Sequence, residues 1–130
     1  MAERDALNHI TDIIIGAAIE VHRTLGPGLL ESAYESCMVY EIVDRHGLKV
    51  EQQKPLQVIY RGVSLDCGYR LDLFVSDLVI VELKSVDKLL PIHEAQMLSY
   101  LKLSGGRVGL LINFNVKVLK DGIKRVVNKF

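Results

Sequence analysis

The hydrophobic pattern of the chain changes from a helical period to a strand period and back, and this order restricts the possible folds. Three segments repeat apolar side chains at three- and four-residue steps and are predicted helices: residues 6–25, 29–46 and 91–104. Short apolar or alternating runs predict strands elsewhere: residues 49–53, 56–60, 63–65, 69–75, 79–84, 107–112, 116–120 and 123–127. We therefore expect an α/β protein in which helices flank a mixed β-sheet.

Two neighbouring predicted strands carry polar residues inside apolar runs. Asp72 lies on the first strand, and Glu82 and Lys84 lie two residues apart on the second. Residues two apart on a strand share a face. A three-residue loop at 76–78 would put Asp72 opposite Glu82 on that same face, whereas a two-residue loop would reverse the faces. We expect the three-residue loop or a bulge near it.

The predicted pairing places two carboxylates about 5 Å apart. Such groups repel each other unless a cation lies between them, and oxygen ligands in a compact site suit Mg²⁺ or Mn²⁺. A metal held by Asp72 and Glu82 could bind a phosphate oxygen and activate water, and Lys84 could assist. This combination indicates hydrolysis of a phosphodiester. The alternative interpretation is an exposed strand that simply alternates acidic and basic residues.

The third predicted helix carries a polar stripe within its apolar face. At 100° per residue, His93, Gln96 and Tyr100 fall within 60° of one another and face the sheet that carries Glu82. Buried polar groups need partners. The stripe would therefore reach a metal–phosphate site, or it would form a core cluster whose partners are backbone groups.

Two polar residues of the predicted N-terminal helices are further candidates. Glu31 points inward with Tyr34, which makes it a possible third carboxylate for the metal. It could equally be an acid favoured by the helix dipole in a first turn. His22 lies at the edge of the apolar face of the first helix, where a histidine bonded within the fold is the alternative.

The charge of the chain is balanced overall but uneven along the sequence. Sixteen basic and sixteen acidic residues give a net charge of zero, which argues against binding nucleic acid by charge alone. Residues 1–47 carry a net −5 and residues 48–130 a net +5. Four cations near the C-terminus are candidates for phosphate contacts, or else part of a solvated strand surface: Lys117, Lys120, Lys124 and Arg125.

Length and composition are consistent with one domain over residues 1–130. Cys37 and Cys67 lack the spacing of a zinc site and fit reduced thiols, so we expect a cytoplasmic protein. No apolar run approaches the roughly 20 residues of a membrane span. The apolar content of 49% is high for a small monomer, which makes a homodimer plausible.

The motif Gly28-Leu29-Leu30-Glu31-Ser32-Ala33-Tyr34 resembles the signature of the GxxExxY proteins, which belong to the PD-(D/E)XK nuclease superfamily. The resemblance covers nearly the whole chain, in six segments: IIGAAIEVHRTLGPGLLESAY, GYRLDLFV, VIVELKSV, PIHEAQMLSYLKL, GLLINFNV and LKDGIKRVV. It implies a restriction-endonuclease-like core with a mixed sheet between helices.

The resemblance also implies roles for the candidate residues. Asp72 matches the acid of the PD motif, although Leu71 replaces its proline, and Glu82 and Lys84 match the E-x-K pair. Gln96 and Tyr100 look like the Q-x-x-x-Y motif of RecB-type nucleases. The implied metal ligands are three carboxylates with a backbone carbonyl: Asp72, Glu82, Glu31 and Leu83 (or Val81).

The expected function is metal-dependent hydrolysis of nucleic acid, with DNA as the substrate. Lys84 would activate the attacking water or stabilise the transition state, and Gln96 and Tyr100 would orient these groups. His93 and His22 would support them from outside the metal ligands. The alternative is a module that binds nucleic acid or a protein partner through the same fold without cleaving. A phosphodiesterase for RNA or a small nucleotide is a third option.

Overall fold

The structure, a computed structural model, describes residues 2–128, so Met1, Lys129 and Phe130 of the predicted domain lie outside the described residues. It contains three α-helices: α1 (Ala2–Leu25), α2 (Glu31–Val39) and α3 (Pro91–Ser104). Five strands form one sheet: β1 (Val50–Tyr60), β2 (Val63–Val75), β3 (Val79–Lys84), β4 (Val108–Asn113) and β5 (Ile123–Val127).

The helices follow the predicted periodicity. The apolar stripe of α1, which includes Ile14, Ala18 and Val21, is buried. The second predicted helix is confirmed, but beyond α2 it continues as a π-helix over Tyr40–Arg45. The third helix ends where predicted, because Gly105 adopts the left-handed conformation (φ 78°) at its C-terminus.

The sheet is mixed and has the order β1-β2-β3-β4-β5. All neighbouring strands are antiparallel except β3 and β4, which are parallel and joined through α3. The side chains of α1 and α2 pack with one face of the sheet, and those of α3 pack with the other. The predicted α/β fold with a mixed sheet flanked by helices is confirmed.

The central strand β3 separates the two faces of the sheet by strict alternation. Val79, Val81 and Leu83 pack toward α1 and α2, whereas Ile80 packs toward α3. Glu82 therefore lies on the α3 side. The predicted three-residue loop is confirmed by the pairing of Val75 with Val79.

Three strand predictions need correction. The runs at 49–53 and 56–60 form the single strand β1, and the runs at 63–65 and 69–75 form the single strand β2. The predicted hairpin of 116–120 with 123–127 is wrong. A 3₁₀ turn occupies Leu119–Gly122 instead, and β5 pairs with β4.

Close packing explains why Asp121-Gly122 does not form a hairpin turn. A Cβ atom at Gly122 would overlap the carbonyl oxygen of Asn113, so this glycine allows a close approach to β4. The buried side chain of Leu119 anchors the same turn in the core. Tertiary packing thus overrides the local turn signal.

Gly109 on β4 sets how closely α3 packs on the sheet, and its substitution tests this contact. A Cβ there would overlap Sδ and Cγ of the buried Met97. We expect Gly109→Ala to lower the free energy of unfolding by about 1–3 kcal/mol in urea denaturation. Gly16→Ala, in α1 with open space around it, is the control and should stabilise by about 1 kcal/mol. An unchanged stability for Gly109→Ala would contradict this packing.

Candidate active site

The candidate site lies where β2 and β3 stop pairing through backbone groups. The last regular pair is Leu73 with Val81. Beyond it, the N–H of Asp72 donates to Oε2 of Glu82 (2.9 Å), and the N–H of Leu83 donates to Oδ2 of Asp72 (2.9 Å). Each carboxylate therefore accepts a backbone hydrogen bond from the other strand, which holds both side chains at the end of the ladder.

The two carboxyl groups are destabilised as anions. Burial, and next the negative charge of Asp72, raise the pKa of Glu82 to about 8. Glu82 is 6% exposed. Burial also raises the pKa of Asp72, although the hydrogen bond from Leu83 opposes this shift. Near neutral pH the pair therefore favours a bound proton or a cation over two bare negative charges.

Gln53 on β1 and Glu35 on α2 extend this cluster. The side-chain amide of Gln53 donates to Oδ1 of Asp72 (3.3 Å) and to Oε1 of Glu35 (2.7 Å). Gln52 donates to the other oxygen of Glu35 (2.7 Å). The negative charge of Glu35 contributes to the raised pKa of both Asp72 and Glu82. One amide thus joins the half-buried carboxylate of Glu35 on α2 to the Asp72–Glu82 pair.

A local distortion of the sheet aims these side chains. Gln53 has a left-handed backbone (φ 52°), which is rare in a strand and is characteristic of functional sites. Opposite it on β2, Leu71 and Leu73 pack on different faces of the sheet although they are two residues apart. The alternation of faces therefore breaks at Gln53 and Asp72.

Lys84 ends β3 two residues after Glu82, and its positive charge lowers the pKa of both carboxyl groups. A buried amide secures the loop that follows. Asn113, which pairs with Lys84 across β3 and β4, accepts from the N–H of Val86 (3.1 Å) and donates to its carbonyl (2.9 Å). Glu31 accepts from the N–H of Ser85 (3.0 Å), so it contacts the same segment.

The polar stripe of α3 is divided between two environments. Tyr100 is buried near the carboxylates. Because of this burial, and next because of the charge of Glu82, the pKa of its hydroxyl is raised. Its ring packs against that of Tyr69, with 6.0 Å between the centroids. Gln96 is half-buried on the same helix. His93 is held at the start of α3, where its Nδ1 accepts from the N–H of Leu90 (2.9 Å).

The structure does not bring His22 to the carboxylate pair. Its Nε2 donates to the carbonyl of Val116 (2.7 Å), which ties α1 to the loop after β4. His22 therefore matches the alternative given by the sequence, a histidine that is hydrogen-bonded within the fold.

The predicted basic residues do not form one surface. Lys124 lies 3.8 Å from Glu94 on α3, whereas Arg125 donates to Thr11 on α1, so these neighbours face opposite sides of the sheet. Lys117 and Lys120 flank a surface depression beside α1. The expected cationic strip is therefore split.

The donor set at Asp72 and Glu82 fits a hard divalent cation. The two carboxyl groups lie together, and the pKa of each is raised. Oε1 of Glu82 has no hydrogen-bond partner among residues 2–128. Within those residues, no group of three or more His, Cys, Asp and Glu side chains could hold a metal ion. Backbone oxygens, water or substrate would therefore complete the coordination, as is usual for Mg²⁺.

A family model of the PD-(D/E)XK nuclease superfamily matches residues 8–126. The chain belongs to this superfamily, whose nucleases typically use divalent metals and act on nucleic acid. No curated protein and no solved structure matched the chain. None of the helices within residues 2–128 has the length and apolar character needed to cross a membrane.

Sequence reasoning missed three residues of this region: Glu35, Gln53 and Asn113. The spacing of Glu31 and Glu35, one helical turn apart, was a signal for a second acid on the same face of α2. No sequence signal indicates the left-handed backbone of Gln53, because glutamine is not a residue that favours it.

The raised pKa of Glu82 predicts how stability changes with pH in EDTA. The folded protein holds a proton at Glu82 that the unfolded chain releases above pH 4.5, so stability falls as pH rises from about 4.5 to about 8. At about 1.4 kcal/mol per pKa unit, the loss is a few kcal/mol. We expect Glu82→Gln to remove this fall, since an amide oxygen can still accept from Asp72.

Urea unfolding at a series of pH values measures this effect. Glu94→Gln is the matched control, because Glu94 is half-exposed on α3 and should leave the wild-type profile unchanged. Parallel profiles for wild type and Glu82→Gln would contradict a buried, protonated Glu82.

Proposed function

We propose that this protein is a metal-dependent nuclease that hydrolyses phosphodiester bonds of nucleic acid, with DNA as the substrate. One observation carries the proposal: Asp72 and Glu82 accept each other's strand N–H groups and present raised-pKa carboxyl oxygens beside Lys84. Membership of the PD-(D/E)XK superfamily supports the same chemistry. The motif at residues 28–34 favours the GxxExxY proteins within it.

In this proposal the carboxylates of Asp72 and Glu82 hold Mg²⁺ or Mn²⁺, with the carbonyl of Leu83 as a further ligand. The metal would polarise the phosphate and lower the pKa of a bound water. Glu31 would contribute through water, since its own oxygen already binds Ser85. The hydrogen bond from Leu83 orients Asp72, and that from Asp72 orients Glu82.

Lys84 is proposed to orient the attacking water or to stabilise the transition state electrostatically. Its ammonium would donate to the attacking water or to a phosphate oxygen in the transition state. The hydroxyl of Tyr100 and the amide of Gln96 would orient that water or the phosphate from α3. His93 would act on the site only indirectly, by holding the start of α3.

Cleavage of labelled single- and double-stranded DNA and RNA tests this function. We expect cleavage with Mg²⁺ or Mn²⁺ and none with EDTA. Lys84→Ala should lower the rate by at least about 100-fold, because a group that acts in the transition state is lost, while the fold is kept. Glu82→Ala should abolish cleavage.

The exposed Lys102→Ala on α3 is the matched control for lysine removal and should retain the wild-type rate. Circular dichroism checks the fold of each variant. Cleavage that survives in both Lys84→Ala and Glu82→Ala would reject the assignment. Metal binding without cleavage of any substrate would favour the non-cleaving binding module.

Gln53 provides a separate test because its backbone strain and its hydrogen bonds have opposite effects. Gln53→Gly relieves the left-handed φ but removes the contacts with Asp72 and Glu35. We expect unchanged or higher thermal stability, together with a cleavage rate at least about 10-fold lower. Gln52→Ala, which removes one contact to Glu35 alone, is the control and should cleave normally. Normal cleavage by Gln53→Gly would show that the contact with Asp72 is dispensable.

A further inference from the structure

The hairpin of β1 and β2 extends past the rest of the sheet. β1 has 11 residues and β2 has 13, whereas β3 and β4 have six each. The part of the hairpin over residues 57–70, named the arm here, is exposed throughout except for the half-buried Val58. Because β3 ends at Lys84, the arm begins beside the carboxylate site.

The two faces of the arm differ in chemistry. On one face Val58 pairs with Leu65, and Tyr60 pairs with Val63. At the base of this face Tyr69 lies opposite Leu56, which packs toward α3. The other face is mainly polar and pairs Gln57 with Asp66, Ile59 with Ser64 and Pro55 with Arg70. Such alternation is typical of a sheet that has one covered face.

The apolar face of the arm is open to solvent in the part of the chain that the structure describes. Tyr60 is 62% exposed, Val63 54% and Tyr69 45%. A contiguous exposed patch of large apolar side chains marks a binding surface.

The position of this face connects it to the proposed site. The ring of Tyr69 contacts the ring of Tyr100. Tyr100 in turn is close enough to Glu82 for the charge of that carboxylate to raise the pKa of the tyrosine hydroxyl. Counted along β1 from Leu56, Tyr60 lies on the α3 side of the sheet, as Glu82 does; the register shift after Leu56 is an insertion in β2 and leaves the alternation of β1 unchanged. A polymer bound at the carboxylates would therefore continue along the arm.

The charge of the arm and its surroundings favours an anionic ligand with flat apolar groups. Residues 57–70 contain two cations, Arg61 and Arg70, and one acid, Asp66. Lys54, at the base of the arm, is already paired with Glu51 (2.8 Å). A duplex hides its bases and is held through many phosphate contacts, whereas the neighbouring cations Lys124 and Arg125 face opposite sides of the sheet. Unpaired bases can stack on tyrosine rings, and a few cations can contact the phosphates.

We propose that the α3-side face of the arm binds unpaired bases of single-stranded nucleic acid. Tyr69 and Tyr60 stack on bases, and Arg61 at the tip contacts the backbone. This inference rests on the proposed nuclease function, since it gives the strand that enters the carboxylate site a path along the arm.

Fluorescence anisotropy tests the inference with labelled oligonucleotides, single-stranded and duplex, of one sequence. EDTA is present, so that metal-dependent cleavage cannot occur. We expect tighter binding of the single strand. Tyr60→Ala should weaken it by about 5- to 150-fold, the usual effect of removing one stacking ring. Leu65→Ser, on the same face, should also weaken it.

Two variants serve as matched controls. Tyr60→Phe keeps the ring and should bind like wild type, and Ile59→Ala changes the opposite face and should do the same. Equal binding by Tyr60→Ala, Leu65→Ser and wild type, or a preference for duplex, would overturn the inference. So would sedimentation showing a dimer that Tyr60→Ala dissociates, because the arm would then be covered by a second copy.

The outcome is separable from that of the nuclease assay. Tyrosine-dependent binding of the single strand without cleavage would reject the nuclease and support the arm as a binding surface. Cleavage by a protein whose single-strand binding ignores Tyr60 and Leu65 would support the nuclease and reject this role of the arm.

Discussion

Two hydrogen bonds between backbone and carboxylate organise the structure around the site. The N–H of Asp72 binds Glu82, and the N–H of Leu83 binds Asp72, at the end of the β2–β3 ladder. These contacts satisfy backbone donors that would otherwise lose their strand partner. They also hold two acids together at a partly buried position, where burial raises both pKa values and repulsion from Asp72 raises that of Glu82 further. A proton or a cation relieves that repulsion, so the local electrostatics and the superfamily chemistry agree.

The surrounding elements support this pair from three directions. From β1, the strained Gln53 contacts Asp72 and links it to Glu35 on α2. From β4, the buried Asn113 holds the loop after Lys84 through two hydrogen bonds to Val86. From α3, Tyr100 lies near the pair, and the close packing of Met97 on Gly109 sets the position of that helix. The site therefore depends on residues far apart in the sequence.

The parts of the fold that depend on local pattern could be predicted well. Helical periodicity located α1 and α3, and the alternation around Asp72 and Glu82 identified the three-residue loop between β2 and β3. The requirement that both acids share a face was sufficient to choose this loop, because a shift of the register by one residue would have turned one of the two side chains to the opposite face. The Asp121-Gly122 signal failed because Gly122 serves a close contact with Asn113 and not a hairpin turn. A local signal cannot distinguish these two uses of glycine.

The sequence by itself determined the positions of α1 and α3, the superfamily and the juxtaposition of Asp72 with Glu82, since each follows from period, motif or short-range register. Tertiary structure alone decided that Glu35 and Gln53 meet Asp72 and that the basic residues near the C-terminus split between two faces. It also decided that the β1–β2 arm is left uncovered beside the site. The physical reason is that local propensity acts over a few residues, whereas these contacts join segments of the chain that meet only when the sheet and helices pack together.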